Sequence, residues 1–273
     1  LFISNNKIFI SMMIKNENGI TINLYNANLN LEKINFELFF ETNEYWENYN
    51  VFSGGRIERF NDEKILFSIG FAKNYQSPQD KKSLLGKIIE IDLNTKNAEL
   101  ISYGHRNPQG LYYHSDENIV INTEHGPKGG DEINFNFLNL KNDKNFGWPK
   151  VSYGKAYNGE EELFEKDTFK KSHKELGFIE PHKYYVPSIG ISEIIYLEKN
   201  SFCKLKCFWV SSLRANSIYN LNVSNDFSQL SSNGRIFLKG DRIRDIEYDK
   251  DLDLVILLSE NVPSIITIRQ NLN

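Results

Sequence analysis

The densest polar chemistry in the chain lies between residues 101 and 154, ISYGHRNPQGLYYHSDENIVINTEHGPKGGDEINFNFLNLKNDKNFGWPKVSYG. Gly104-His105-Arg106-Asn107-Pro108-Gln109-Gly110 sets four hydrogen-bonding side chains in a turn bounded by Gly and Pro. Glu124-His125-Gly126-Pro127 follows an apolar run and turns its backbone carbonyls into a tight loop. Asp131-Glu132 precedes a further strand-like run, and Lys144-Asn145-Phe146-Gly147-Trp148-Pro149 makes another rigid corner. Polar groups gathered on stiff corners are poor core material, because each one that is buried needs a partner. Their chemistry is that of a polar ligand site.

The elements that carry these corners read as strands. Helix-period apolar stripes are scarce, whereas a short apolar run, a polar turn and another apolar run recur throughout. Three segments share one template: GGRIERFNDEKILFSIG from Gly54, PQGLYYHSDENIVINTEHG from Pro108 and RIRDIEYDKDLDLVILLSE from Arg242. A second recurring element alternates, as in GKIIEIDL from Gly86, NSIYNLNV from Asn216 and PSIITIRQ from Pro263. Copies a few tens of residues apart predict the blades of a β-propeller. A β-sandwich also has short strands and regular turns, but no reason to repeat this unit with Arg or Gly at its entry. The stretch 150–186, rich in Lys, Glu, Tyr and His, interrupts the order. It is expected to be a long insertion between blades, mostly solvated, with a short helix over EELFEKDTFKKSHKEL.

Composition narrows the function. The 273 residues carry 32 Lys and Arg against 36 Asp and Glu, a net charge of −4. That leaves no broad basic field, so no nucleic-acid partner is expected. The longest apolar runs, such as Leu254–Leu258, are strand-sized and no membrane span is expected. On one strand Cys203 and Cys207 would stand roughly 13 Å apart, beyond disulfide reach, and they read as two small buried thiols. The opening LFISNNKIFISMMIKN has neither a basic n-region nor a small-residue cleavage site, and reads as a strand already in progress. The expectation is one propeller domain over 1–273, partial at its N-terminal end. At roughly 45 residues per blade, and with 150–186 set aside, about five blades are present.

The motifs together resemble the glucose/sorbosone dehydrogenases, soluble quinoproteins that use pyrroloquinoline quinone (PQQ). GHRNPQG, EHGP followed by DEIN, and NFGWP stand in the family's order and spacing, with GGRI at 54–57, GKIIEIDL at 86–93 and PSIGIS at 187–192. SSLRANSIYNL at 211–221 and RIRDI at 242–246 extend the resemblance over nearly the whole chain. It implies an all-β, six-bladed propeller, an oxidoreductase passing hydride from a sugar C1 or alcohol carbon to PQQ, and an external electron acceptor. It also implies a periplasmic or secreted location. PQQ is a flat ortho-quinone with carboxylates, which planar cations pair bidentately. Arg106, Arg214, Arg242 and Arg244 are the candidates for that role, and the resemblance adds Asn107 to the cofactor-binding residues. Arg106 and Asn107 would also stabilise charge on the quinone oxygens. Arg242 and Arg244, two apart on a strand-like segment, point the same way. Calcium is the second implied cofactor, a hard cation that takes oxygen ligands. The Gly126 and Pro127 carbonyls would hold it, with Glu132 and the Phe146 carbonyl at a second site.

One departure bears on activity. The family's general base is a His in H-x-G-G-R, oriented by an Asp in a Gly-Asp pair after the next strand. Here Phe52 and Phe71 take those positions, and a phenyl ring accepts no proton. His105 and His125 sit within family motifs, where their role is structural. Two readings follow: a PQQ- and calcium-dependent aldose dehydrogenase with a remodelled base, or a catalytically inactive propeller acting as a ligand- or protein-binding module. A third has the arginines hold some other anion.

Overall fold

The structure, a computed structural model, describes residues 1–4, 6–30, 32–47 and 52–269. Nineteen strands in these residues form five antiparallel sheets. The first holds β1 (Phe2–Ser4), β2 (Lys7–Asn16), β3 (Gly19–Asn28) and β4 (Glu37–Glu41). The second holds β5 (Gly54–Arg59), β6 (Lys64–Ile69), β7 (Lys87–Asp92) and β8 (Ala98–Tyr103). The third holds β9 (Pro108–His114), β10 (Ile119–Glu124), β11 (Asp131–Phe137) and β12 (Lys183–Tyr185). The fourth holds β13 (Ile191–Leu197), β14 (Cys207–Ser212), β15 (Ser217–Val223) and β16 (Leu230–Phe237). The fifth holds β17 (Ile243–Asp249), β18 (Leu254–Ser259) and β19 (Ser264–Ile268). The strands of each sheet pair in chain order. First strands of successive sheets pack on one another, β5 on β9, β9 on β13 and β13 on β17. The result is a five-bladed β-propeller, all-β, whose only helical pieces among the described residues are three single 3-10 turns.

Why the middle strands read as nearly continuous apolar runs follows from this stacking. A strand sends alternate side chains to opposite faces, and here both faces meet another sheet. On β6, Ile65, Phe67 and Ile69 join the core shared with the first sheet, while Leu66 joins Leu111 and Val120 of the third. On β14, Phe208 and Val210 face the third sheet's Ile119 and Ile121, while Trp209 faces Ile243 and Val255 of the fifth. The outermost strand β16 is mostly exposed, and its sequence is correspondingly polar.

Two expectations change. The segment before Lys183 does not separate two blades: β12 lies within 150–186 and pairs with β11, Asp131 opposite Tyr185. The interruption therefore falls between the third and fourth strands of one sheet. It carries 3-10 turns at Glu161–Leu163 and Lys174–Leu176 in place of the expected helix, and it buries Thr168 and His173. The cysteines are also joined, with Cα atoms 6.1 Å apart. Cys203 lies on the turn before β14, so the chain folds back instead of running on as one strand.

Below the inner strands lies a cavity of about 1090 Å³, lined among others by Phe2, Glu58, Tyr112, Glu193, Glu247 and Ile265. Burial, then the charges of Glu193 and Glu247, push the Glu58 carboxyl up to about 8. A raised carboxyl contributes stability that is complete below the ordinary value near 4.5 and is lost as pH rises through its folded value. Glu58→Gln is therefore expected to match the parent near pH 4.5 and to melt higher, by a few degrees, at pH 8.5 (roughly 2–4 °C per kcal/mol at this size). Thermal melts across that range check it; a difference independent of pH would count against it.

Candidate active site

The turn between β8 and β9 builds the first half of the site. Gly104 has φ 75°, and a Cβ there would meet Asn145 Oδ1 at 2.3 Å, so the corner requires glycine. His105 is buried, its Nε2 2.8 Å from Ser102 Oγ and its ring stacked 4.7 Å from that of Phe146. Glu124, at the end of β10, accepts the Arg106 N–H at 2.8 Å and the Asn134 amide at 2.7 Å, with His105 Nδ1 at 3.3 Å. His105 is thus occupied in holding the loop, the structural role expected of it. Asn107 Oδ1 accepts from Gly54 N and from Gln109 Nε2, each at 3.2 Å.

Arg106 is 4% exposed and donates to the His125 carbonyl at 2.9 Å, while its Nε has no partner among the described residues. Its guanidinium carbon lies 4.1 Å from the centre of the Phe52 ring, 5.3 Å from Trp148 and 5.6 Å from Phe71. Such contacts pair a cation with the negative faces of aromatic rings. Phe52 and Phe71 stack at 5.5 Å. Tyr75 and Trp148 meet Phe71 edge-on, and Phe164 closes against both. Phe164 comes from the segment expected to be solvated. The wall around Arg106 is aromatic, and neither phenyl can accept a proton.

The second half comes from the fifth sheet. Glu260 holds both candidate arginines, Arg242 Nε at 3.0 Å and Arg244 Nε at 2.5 Å. Arg244 also donates to Gln109 Oε1 at 3.2 Å. Asn107, Gln109, Arg244, Glu260 and Arg242 therefore form one connected row. Gln109 is one of the four hydrogen-bonding side chains of the Gly104–Gly110 turn, and the sequence alone gives it no binding role. Arg214 is exposed, and among the described residues no hydrogen bond joins its side chain to that row. The Glu260 carboxylate bridges Arg242 and Arg244, and two guanidinium groups side by side are chemically suited to carboxylate oxygens.

The four residues implied for calcium are brought together. Gly126, Pro127, Glu132 and Phe146 line one small cavity of about 10 Å³, whose wall also includes Arg106, Glu124, Trp148 and His173. That volume suits one small occupant. Burial, then the neighbouring Glu124, hold the Glu132 carboxyl well above the usual range. His173 Nε2 lies 3.4 Å from Glu132 Oε1, and burial pushes this imidazole down to about 4. Among the described residues no three His, Cys, Asp or Glu side chains are grouped as metal ligands. The lining offers two carboxylates, Glu124 and Glu132, with backbone carbonyls, oxygen chemistry that fits a hard cation, and the Arg106 guanidinium shares the wall. His173 was missed because its segment reads as a charged surface.

Known proteins bear on these features. The Glucose / Sorbosone dehydrogenase family profile matches residues 1–267. Aldose sugar dehydrogenase YliI of Escherichia coli (strain K12) is 30% identical over 225 residues, 76% of this chain and 57% of that protein. Quinoprotein glucose dehydrogenase B of Acinetobacter calcoaceticus is 28% identical over 128 residues, 36% of this chain and 26% of that one. The chain thus spans little more than half the length of the first of these relatives. The apo-form structure of the soluble E. coli aldose sugar dehydrogenase superposes with a TM-score of 0.80 at 23% identity, covering 96% of this chain and 77% of that one. The PQQ-bound aldose sugar dehydrogenase of Streptomyces coelicolor gives 0.69 at 19% identity, covering 97% and 75%. At these identities the superpositions speak for the fold. The match across residues 1–267 goes further, and the chain belongs to the glucose/sorbosone dehydrogenase family.

Proposed function

We propose that the chain is a PQQ- and calcium-binding quinoprotein of the aldose sugar dehydrogenase type, an oxidoreductase that takes a small sugar or alcohol. It acts as a single propeller domain over 1–273, its blades belonging to a six-bladed ring, with the stretch from 150 to β12 inserted within the third sheet. An external acceptor receives the electrons, and the periplasm or the cell exterior is its place. Among the described residues no helix is long and apolar enough to cross a membrane. The observation that carries the reading is the Arg242–Arg244 pair gripping a carboxylate in one row with Gln109 and Asn107. When bound, PQQ supplies the two-electron acceptor for substrate hydride. Arg242 and Arg244 would hold its carboxylates, and Arg214 would be a further cation for it. Asn107 and Arg106 supply donors toward its oxygens. The Gly126 and Pro127 carbonyls would hold calcium, and Glu132 with the Phe146 carbonyl would offer a second set of oxygens.

A second reading rests on the Phe52–Phe71 stack over Arg106. These rings occupy the positions of the base and its orienting acid, so the chain binds its ligand without efficient proton removal. The loss of a general base costs roughly 10²–10⁴-fold in rate. Protein reconstituted with PQQ and calcium, then offered a panel of aldoses with an artificial dye, separates the two. Slow sugar-dependent dye reduction is the expected result. Cofactor uptake with no reduction by any sugar would favour the binding module.

A further inference from the structure

The inner strands of four sheets meet on one side chain, Arg56 of β5. Its Nε lies 2.6 Å from Glu193 Oε2 on β13 and donates to the Gln109 carbonyl on β9 at 3.0 Å. Its NH1 lies 3.2 and 3.1 Å from the two carboxylate oxygens of Asp245 on β17. Glu193 reaches on through Oε1 to the backbone N–H groups of Leu111, at 3.1 Å, and Ile194, at 2.9 Å. A planar guanidinium with fixed donor directions suits such a junction, because each bond constrains the others.

A shared backbone device aims these groups. Each of the four inner strands carries a register shift at this level: between Gly54 and Ile57, between Pro108 and Gly110, between Ile191 and Ile194, and between Ile243 and Asp245. Bulges of this kind re-aim side chains beside functional sites. Opposite three of them a hydroxyl takes up a displaced N–H: Ser68 Oγ accepts from Arg56 N, Thr123 Oγ1 from Gly110 N and Ser211 Oγ from Glu193 N. Arg56, Gln109, Glu193 and Arg244 lie within the shifts, with Gly55 and Ser192 beside the first and third of them. Two of them, Gln109 and Arg244, belong to the row that grips the Glu260 carboxylate. The other two form the junction directly against it.

We propose that Arg56 is a positioning residue: through the Gln109 carbonyl and the Asp245 carboxylate it fixes the third sheet's Asn107–Gln109 edge against the fifth sheet's Arg244, and so sets the span of the anion-receiving row. This rests on the quinoprotein reading for the identity of the anion, while the positioning itself is read without any cofactor.

The test uses the full chain in three forms, Arg56→Lys, Asp245→Asn and the charge-balanced pair Arg56→Met with Glu193→Met. The pair avoids leaving a buried carboxylate unpaired, and Asp245→Asn is the mild change should the pair fail to fold. Amide hydrogen exchange of the cofactor-free proteins is expected to quicken over residues 105–111 and 242–247 while the outer strands keep their protection. PQQ titration in calcium is expected to show affinity weakened by about 10- to 100-fold in the pair and less in Arg56→Lys, the range for groups that orient a ligand's direct contacts. Unchanged exchange in both segments, or unchanged affinity in folded variants of a parent that binds, would overturn the proposal. A parent that takes up no PQQ overturns the quinoprotein reading instead, and exchange alone then decides the role of Arg56.

Discussion

Phe52→His combined with Phe71→Asp is expected to raise sugar-dependent dye reduction by about 10²–10⁴-fold over the parent chain, the span a general base contributes. The two rings already stack at 5.5 Å, so a His at 52 and an Asp at 71 would face each other as base and orienting acid. Arg106, whose guanidinium carbon lies 5.6 Å from the Phe71 ring, offers a counter-charge for the new buried carboxylate. Each single change should give less. Phe71→Asp alone adds a charge without a base, and Phe52→His alone leaves an imidazole whose tautomer nothing fixes. Kinetics on the three variants, with PQQ uptake measured alongside, check this. Full uptake with no gain in the double variant would mean that these positions do not face the reacting carbon.

Glu124→Ala should be the most destabilising single change at the site. The carboxylate is 4% exposed and serves three donors from separate stretches: the Arg106 N–H, the Asn134 amide and the His105 ring. Without it the Arg106 N–H and the His105 Nδ1 lose this buried partner, at about 1–3 kcal/mol each, while the Asn134 amide keeps Glu132 Oε2 at 3.4 Å. The expected total is about 2–5 kcal/mol, a clear fall in melting temperature at any pH where the parent is folded. Glu124→Gln retains an acceptor for the Arg106 N–H and should lose less. Chemical denaturation of the three proteins measures the difference; equal midpoints would show that the loop is held some other way.

Much of this arrangement is legible in the chain because it is local. The templates that begin at Gly54, Pro108 and Arg242 open the second, third and fifth sheets. Their second strands carry apolar residues on both faces because each sheet lies between neighbours. Each of these strands also closes on a hydroxyl at Ser68, Thr123 and Ser259, and two of those hydroxyls accept an N–H from the bulged strand opposite. The GHRNPQG and EHGP turns announce a polar site through their Gly and Pro corners. Long-range partnerships leave no such trace. Arg56 and Asp245 are 189 residues apart, and nothing in GGRI names its partners. His173 and Phe164 lie in a segment whose charge pattern is that of a solvated surface. They are drawn inward by Glu132 and by the Tyr75–Trp148 rings, which no local period encodes. The cysteine pair is hidden for a related reason: strand spacing separates the two residues, and only the turn that carries Cys203 brings their Cα atoms to 6.1 Å.

The account depends on the row Asn107–Gln109–Arg244–Arg242 receiving a quinone carboxylate where Glu260 now sits. Equilibrium titration of the calcium-loaded protein with PQQ, followed by the cofactor's visible absorption, tests this most directly when run beside Arg242→Gln with Arg244→Gln. Saturable one-to-one uptake by the parent, weakened at least about tenfold in the double variant, is the predicted result. A parent that takes up no PQQ in saturating calcium, or one that binds it as tightly after both arginines are replaced, would contradict it.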